Sequence, residues 1–157
     1  PLLVHWDGVV APGTNDDFVN HYLDIGPTLL ELLGLPIPAT YQGRSFCKPL
    51  LGLANDRARD CVVSAYHGEW GGLYTQRMLR DRNFKFVWNL TDVSEFYDLQ
   101  NDPFELVNRI NDPSVAQLIL KYQRQLYDEL KRVGDLIVNS PWMKYQLLEG
   151  GRKLSHR

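Results

Sequence analysis

A succession of short segments rich in aromatic and β-branched residues between Cys61 and Leu99 constrains the fold more than any other feature of the sequence. Segments of this kind, separated by polar turns, are typical of β-strands. Four strands are predicted, at residues 61–66, 74–80, 84–88 and 95–99. In the third, Phe84, Phe86 and Trp88 share one face, as expected for a strand with one buried side. The short polar connection at 81–83 predicts that the second and third strands form an antiparallel hairpin.

A predicted helix lies on either side of this region in the sequence. The first follows Asp24, which we expect to be its N-cap, and ends at Gly34. Its apolar residues recur at helical spacing: Ile25, Leu29, Leu32 and Leu33. The second begins at Asp112 and Pro113, residues that favour a cap and a first turn, and ends at Gly134. Its apolar stripe predicts an amphipathic helix laid across the sheet and comprises Val115, Leu118, Ile119, Tyr122, Leu126, Leu130 and Val133.

The two ends of the chain give weaker patterns. Residues 1–6 are a short apolar run before Asp7 and Gly8, which predicts a buried strand followed by a turn. The sequence starts without Met or a secretory signal, so we expect a piece of a longer polypeptide. Its apolar runs are far shorter than the ~20 residues of a membrane-crossing helix, so no membrane span is predicted. Residues 139–151 show no clear period, and residues 152–157 are expected to fray.

Composition and charge exclude several classes of protein. The 17 Lys and Arg residues and 19 Asp and Glu residues give a net charge of −2, which provides no long-range attraction for a polyanion. We therefore expect no nucleic acid partner. The only two cysteines, Cys47 and Cys61, are too few for a disulfide framework and lack the paired spacing of a zinc site. Taken alone, these observations indicate a globular α/β or α+β domain.

Six strings, taken in order, resemble the C-terminal portion of sulfatases, which belong to the alkaline phosphatase superfamily. They are residues 1–10 (PLLVHWDGVV), 23–34 (LDIGPTLLELLG), 42–45 (QGRS), 77–80 (RMLR), 84–87 (FKFV) and 95–105 (EFYDLQNDPFE). Each string is weak by itself. Their order and spacing agree with the family over roughly residues 1–120, which makes the combined resemblance strong.

The resemblance implies a fold of the α/β class, with α+β organisation within this segment. Residues 1–55 would be the terminal part of an alkaline-phosphatase-like catalytic domain. Residues 56–134 would form a small four-stranded antiparallel sheet covered by a C-terminal helix, and residues 135–157 a tail. The implied function is that of the C-terminal segment of a sulfuric ester hydrolase, which completes the fold and helps to shape the substrate entrance. Upstream residues of the same protein would hydrolyse the sulfate ester, so this segment alone is expected to be inactive.

Two other functions remain open. The segment could be part of a phosphonate or phosphodiester hydrolase of the same superfamily, or a non-catalytic binding module derived from a sulfatase. The resemblance is compatible with a secreted, periplasmic or lysosomal compartment and selects none of them. Asn89, Leu90 and Thr91 form a glycosylation acceptor triplet, which occurs often by chance.

We predict no catalytic residue in this segment. Sulfatases generally convert a Cys or Ser in a Cys-x-Pro-x-Arg context to formylglycine, and they hold a divalent metal. Cys47, Lys48 and Pro49 begin such a string, but Leu51 stands at the position of the arginine. The resemblance therefore implies Ca²⁺ or Mg²⁺ for the parent enzyme, bound by residues upstream of this segment.

We also predict no metal ligand here. Asp16, Asp17 and Asp24 are clustered carboxylates of the kind that hard cations prefer. A solvated loop explains the first two, and helix capping explains the third. His5 and His21 lie beside the predicted strand and helix, where packing or local hydrogen bonding accounts for them better than catalysis.

One loop has functional promise. Between the first and second predicted strands, His67, Glu69 and Trp70 place an ionisable pair and an indole within a glycine-rich segment. Such a loop can lend hydrogen-bonding groups and an aromatic surface to a binding cleft. A flexible surface loop is the simpler interpretation. Because connections of this subdomain can line the substrate entrance in the family, the resemblance implies His67, Glu69 and Trp70 as the candidates for substrate contact.

Overall fold

Residues 2–15, 17–54, 59–68 and 74–149 are described by a computed structural model. The elements in chain order are α1 (His21–Leu32), α2 (Cys47–Leu50), β1 (Val62–Tyr66), β2 (Gln76–Arg80), β3 (Phe84–Asn89), β4 (Glu95–Asp98), α3 (Ala116–Arg132) and α4 (Pro141–Leu148). The chain divides into two compact units, Pro1–Val62 and Val63–Arg157. The domain limits expected from the sequence remain a prediction.

The four strands form one sheet in the order β1-β2-β3-β4, which confirms the predicted small antiparallel sheet. In the β2–β3 hairpin, Arg80 lies opposite Lys85. The turn between them is explained by Asp81, whose Oδ1 accepts hydrogen bonds from the backbone N–H groups of Asn83 and Phe84, both at 2.8 Å. A carboxylate that bonds the backbone two residues later is typical of tight turns.

Helix α3 packs on β2 and β3 and contributes four buried apolar side chains to the core of the second unit. Its buried stripe is Ile119, Tyr122, Leu126 and Leu130. The ring of Tyr122 meets Phe96 edge to face, with centroids 5.4 Å apart. Phe84 stacks on Phe96 at 5.5 Å. Aromatic pairs prefer these two arrangements, so this cluster fixes the orientation of the helix on the sheet.

The predicted ends of α3 agree with the structure. The chain enters through a 3₁₀ turn, Pro113–Val115, and Asp112 Oδ1 accepts a hydrogen bond from the N–H of Ser114 at 2.8 Å. The helix is followed by Gly134 at φ 74°, a left-handed conformation that glycine adopts without a steric penalty.

The predicted cap of α1 is wrong. Helix α1 begins at His21 and Asn20 is its N-cap, so Asp24 lies in the first turn, buried to 2% exposure. The carboxylate of Asp24 accepts hydrogen bonds from the N–H of Asn20 at 2.8 Å and from the N–H of Arg44 at 2.7 Å. Arg59 also pairs with it. Two of these partners, Arg44 and Arg59, lie 20 and 35 residues away in the sequence. Local spacing around Asp24 therefore does not predict its position in the first turn of the helix.

The described residues near both ends of the chain also differ from the prediction. Residues 1 and 150–157, which include the segment expected to fray, lie outside the described ranges. Residues 2–6 form no strand, and Leu3 is 90% exposed. A strand needs a neighbour for its backbone groups, and no described residues pair with this segment. Near the other end, where no period is visible, α4 begins at Pro141, preceded by Ser140 as its cap, and buries Leu147. None of the helices in the described ranges combines the length and apolar character needed to cross a bilayer.

Candidate functional site

His67 is the one member of the predicted substrate-contacting trio that lies within the described residues. It follows the last residue of β1 and is exposed. Gly68, at φ 83°, turns the chain directly after it. Glu69 and Trp70 lie outside the described residues. The proximity of the three side chains therefore stays a prediction.

The base of this loop is held by Arg77 of β2, whose side chain is 2% exposed. Its Nε donates to Asp135 Oδ2 at 2.5 Å, and its Nη2 donates to Asp135 Oδ1 at 3.3 Å. Its Nη1 bonds three oxygens: Thr75 Oγ1 at 3.1 Å, the carbonyl of Gln76 at 2.8 Å and the carbonyl of Tyr66 at 3.5 Å. One guanidinium thus joins both ends of the loop to Asp135, three residues after the end of α3.

Asp135 carries the negative charge of this arrangement. Burial raises the pKa of its carboxyl, but the opposing effects prevail: hydrogen bonds from Arg77 and from the N–H of Ile137, with the charges of Arg77 and His67, hold the pKa below its ordinary value. His67 is exposed, and an exposed imidazole can donate a hydrogen bond to an anionic oxygen or a sugar hydroxyl.

Sequence reasoning did not single out Arg77 and Asp135. Arg77 was noticed as part of the string 77–80, without a role. The sequence does carry one signal for this ion pair. Arg77 lies two residues before Leu79, which is fully buried, so both side chains share the buried face of β2. A guanidinium on a buried face requires a carboxylate or carbonyl partner.

Cys47 has the environment of a structural thiol. It is the first residue of α2 and is 6% exposed. Burial raises the pKa of the thiol, and the negative charge of Glu31 raises it further. Because the thiolate is the reactive form of cysteine, these effects disfavour a nucleophile at this position.

The carboxylates considered for metal binding do not assemble in the described parts of the chain. Within residues 2–15, 17–54, 59–68 and 74–149, no three His, Cys, Asp or Glu side chains form a group that could hold a metal ion. Asp16 lies outside these ranges. Asp24 is occupied by hydrogen bonds to Asn20, Arg44 and Arg59. His21 packs against Tyr22, with ring centroids 4.1 Å apart.

The string 95–105 has a structural explanation. Asp98 accepts hydrogen bonds from the side chain of Asn101 at 2.9 Å and from Arg109 at 3.3 Å, and the first of these is the largest cause of its lowered pKa. Glu105 forms an ion pair with Lys85 of β3. These contacts fold residues 98–109 back along the sheet.

Asn89, the acceptor residue of the glycosylation triplet, is buried and hydrogen-bonded. Asn89 is 8% exposed, and its Nδ2 donates to the carbonyl of Val93 at 2.7 Å and to Glu95 at 3.0 Å. A glycan would have to attach to this buried nitrogen, so the folded chain does not present Asn89 for modification.

The sequence of this chain is similar to a known family and to proteins from several bacteria. The family described as N-sulphoglucosamine sulphohydrolase, C-terminal, matches residues 1–132. A delta 4,5-hexuronate-2-O-sulfatase from Bacteroides thetaiotaomicron is 32% identical over 115 residues, which are 72% of this chain and 24% of that protein. An uncharacterized protein from Haemophilus influenzae is 28% identical over 151 residues, 92% of this chain and 75% of that protein.

Solved structures show the same similarity. A 2-O GAG sulfatase superposes with a TM-score of 0.70 at 30% identity, over 75% of this chain and 26% of that chain. A phosphonate monoester hydrolase from Agrobacterium radiobacter superposes with a TM-score of 0.59 at 26% identity, over 67% of this chain and 23% of that one. The chain thus spans about a quarter of the length of these enzymes.

Proposed function

Because this chain belongs to the family of sulfatase C-terminal domains, we propose that it is the terminal part of a sulfuric ester hydrolase whose catalytic residues lie upstream of it. The observation that carries the proposal is the family match over residues 1–132, which includes the whole sheet and α3. The sulfatase relative has about four times the matched length, which leaves ample room for a catalytic portion.

The first unit supports a role in completing a larger fold. Leu2, Leu3, Val4 and Trp6 are between 42% and 90% exposed. A contiguous run of exposed large apolar side chains is unusual on a finished surface and marks a contact with another part of a protein. We propose that residues 2–10 pair and pack with the upstream catalytic portion, where their strand-like sequence would find its missing neighbour.

The second unit supports a role at the substrate entrance. His67 is exposed at the start of a loop whose two ends are joined by Arg77. A sulfate ester presents anionic oxygens, which a protonated or N–H-donating imidazole can bind. We propose that His67, with Glu69 and Trp70, contacts the sulfated substrate, and that Arg77 and Asp135 hold the loop in place.

The sulfatase family implies a metal-dependent parent enzyme. The carboxylates and histidines of the described ranges do not fit such a site, since no three of them come together. We propose that Ca²⁺ or Mg²⁺ is held by the upstream portion, and no step of the reaction is assigned to residues of this chain.

Two alternatives each have one supporting observation. The phosphonate monoester hydrolase shares this fold, so the ester could contain phosphorus instead of sulfur. The Haemophilus influenzae relative is only modestly longer than its matched region, a length compatible with a short binding module derived from a sulfatase.

A turnover assay separates these functions. The purified chain, alone and mixed with the polypeptide encoded upstream of Pro1, would be incubated with p-nitrophenyl sulfate or p-nitrophenyl phenylphosphonate and either Ca²⁺ or Mg²⁺. We expect sulfate release only from the mixture. Faster phosphonate release would favour the first alternative. Turnover by the chain alone that is lost in Cys47→Ser would overturn the proposal, and failure of the two polypeptides to associate would favour the module.

A further inference from the structure

Helices α3 and α4 carry a surface that the catalytic proposal does not use. We propose that this surface binds sulfated saccharides, an inference that rests on the proposed sulfatase function for its ligand class. We name it the basic aromatic patch, and its residues are Arg124, Tyr127 and Lys131 of α3 with Trp142, Lys144 and Tyr145 of α4. Helix α4 lies beyond residues 1–132, so the family match does not include this part of the patch.

Two aromatic side chains form its platform. Trp142 is 61% exposed and Tyr145 is 49% exposed. Their rings are nearly parallel, at 24°, with centroids 6.0 Å apart. Exposed Trp and Tyr side chains are apolar surfaces with a polar tip, which is why they are enriched where proteins bind ligands. The two rings stack on each other, and the exposed part of each side chain remains open to a ligand.

Three basic residues lie on the two helices that form the patch. Lys144 lies between the two aromatic residues in sequence, and its Nζ stands 5.4 Å from the centroid of the Tyr127 ring on α3. Arg124 and Lys131, three residues before and four residues after Tyr127, lie on the same face of α3 by helical spacing.

Among the described residues, the three cations of the patch form no ion pair. In the part of the chain that the structure describes, no carboxylate forms an ion pair with Arg124, Lys131 or Lys144. Arg132, on another face of α3, pairs with Glu129 at 2.7 Å. Asp128 lies four residues after Arg124 and three before Lys131, so it reduces the positive charge of the patch without forming an ion pair with either cation. Binding an anion there therefore does not require an existing ion pair to be broken.

The combination selects the class of ligand. A pyranose ring has an apolar face of C–H groups that can lie on an indole or phenol ring, and its sulfate groups are anions. The patch offers an aromatic platform and cations side by side, which complements both features of a sulfated sugar. The overall charge of −2 argues against a nucleic acid as the natural occupant.

Nuclear magnetic resonance titration tests the proposal directly. A heparin-derived tetrasaccharide would be added to the ¹⁵N-labelled chain, with the indole N–H signal of Trp142 identified by its loss in Trp142→Phe. We expect a saturable shift of this signal. Trp142→Ala with Tyr145→Ala should raise the Kd, measured by calorimetry, about tenfold or more. Lys144→Gln should raise it several-fold, and most strongly at low salt.

Matched variants serve as controls. Phe104→Ala removes an aromatic ring that is 82% exposed outside the patch, and Arg132→Gln removes a cation from another face of α3. Both should leave the Kd unchanged. A desulfated tetrasaccharide should give no saturable shift.

Several results would overturn the proposal. A non-saturable shift or an unchanged Kd in the double aromatic variant would do so. Equal affinity for a thymidine oligonucleotide would show that the patch does not select sugars. If the chain forms a dimer that the double aromatic variant does not form, the patch is an interface between two copies instead. If His67→Ala abolishes binding and Trp142→Ala does not, the patch is refuted and the entrance role of His67 is supported. If binding depends on Trp142 but the upstream polypeptide gives no sulfate release, the proposed enzyme function fails and the patch stands.

Discussion

Arg77 and Asp135 form a two-point ion pair, Nε to Oδ2 at 2.5 Å and Nη2 to Oδ1 at 3.3 Å. The pair joins strand β2 to the turn after α3, three residues beyond the end of that helix. The guanidinium is almost fully buried, and it also bonds the carbonyl of Tyr66 at the end of β1. The position of His67, the next residue, thus depends on an ion pair between residues 58 positions apart.

Replacing Asp135 by Asn should destabilise the second unit strongly. The variant leaves the buried charge of Arg77 without a compensating carboxylate, and we expect a loss of about 2–3 kcal/mol in the free energy of unfolding, measured with urea. Asp128→Asn, an exposed position on α3, is the control and should change little. Equal stability of the two variants would show that the ion pair does not hold the loop base.

Acid should weaken the fold through three carboxylates with lowered pKa values. Hydrogen bonds from Ser114, then from Arg109, lower the pKa of Asp112 to about 2 from 3.8, and Asp98 and Asp135 also lie below the ordinary value. A group with a depressed folded pKa stabilises the fold above its unfolded pKa and loses that contribution as the pH falls through the folded value. Stability should therefore decline from about pH 5 to about pH 2.

The contribution of one group can be isolated within this window. Asp112→Asn should give a shallower decline of the urea midpoint between about pH 4 and pH 2, because one titrating carboxylate has been removed. Parallel curves for the variant and the original chain would contradict the assignment.

The parts of the fold that the sequence predicted depend on local, periodic signals. The hairpin at Asp81 and the start of α3 at Asp112 were both visible, because a carboxylate acts there on backbone groups two or three residues away. The four strands followed from alternating aromatic residues packed under one helix. Where the stabilising contacts are close in sequence, pattern and structure agree.

The parts that were missed depend on distant partners. Local spacing predicts a cap at Asp24, whereas its carboxylate bonds Arg44 and Arg59, 20 and 35 residues away. The strand predicted at residues 1–6 requires a neighbour that the described residues do not supply. Helix α4 buries only Leu147 completely, so its sequence shows no apolar period, and the order Ser140-Pro141 was the available signal for its start.

Gly43 of the string 42–45 is required by a close backbone approach. A Cβ at this position would lie 1.9 Å from the carbonyl oxygen of Leu23. Gly43→Ala must therefore displace α1 or residues 42–45, and we expect a loss of about 2–4 kcal/mol in the first unit. Amide hydrogen exchange should accelerate along α1 (His21–Leu32) and not along α3.

Gly13→Ala is the matched control for this change, because nothing lies within 4 Å of a Cβ added there. It should leave exchange in α1 unchanged. Similar exchange in the two variants would show that the contact with Leu23 relaxes at little cost.

Asn108 protects the free edge of the sheet, and its removal should expose that edge. Its Oδ1 accepts the N–H of Phe96 at 3.0 Å, and the N–H of Arg109 donates to the carbonyl of Phe96 at 2.8 Å. An edge strand with unsatisfied backbone groups can pair with another chain. Asn108→Ala should cost about 1 kcal/mol, speed exchange of the Phe96 amide and increase aggregation on concentration. Asn108→Asp keeps the acceptor oxygen and should restore protection of this amide; if both variants exchange alike, the side chain does not protect the edge.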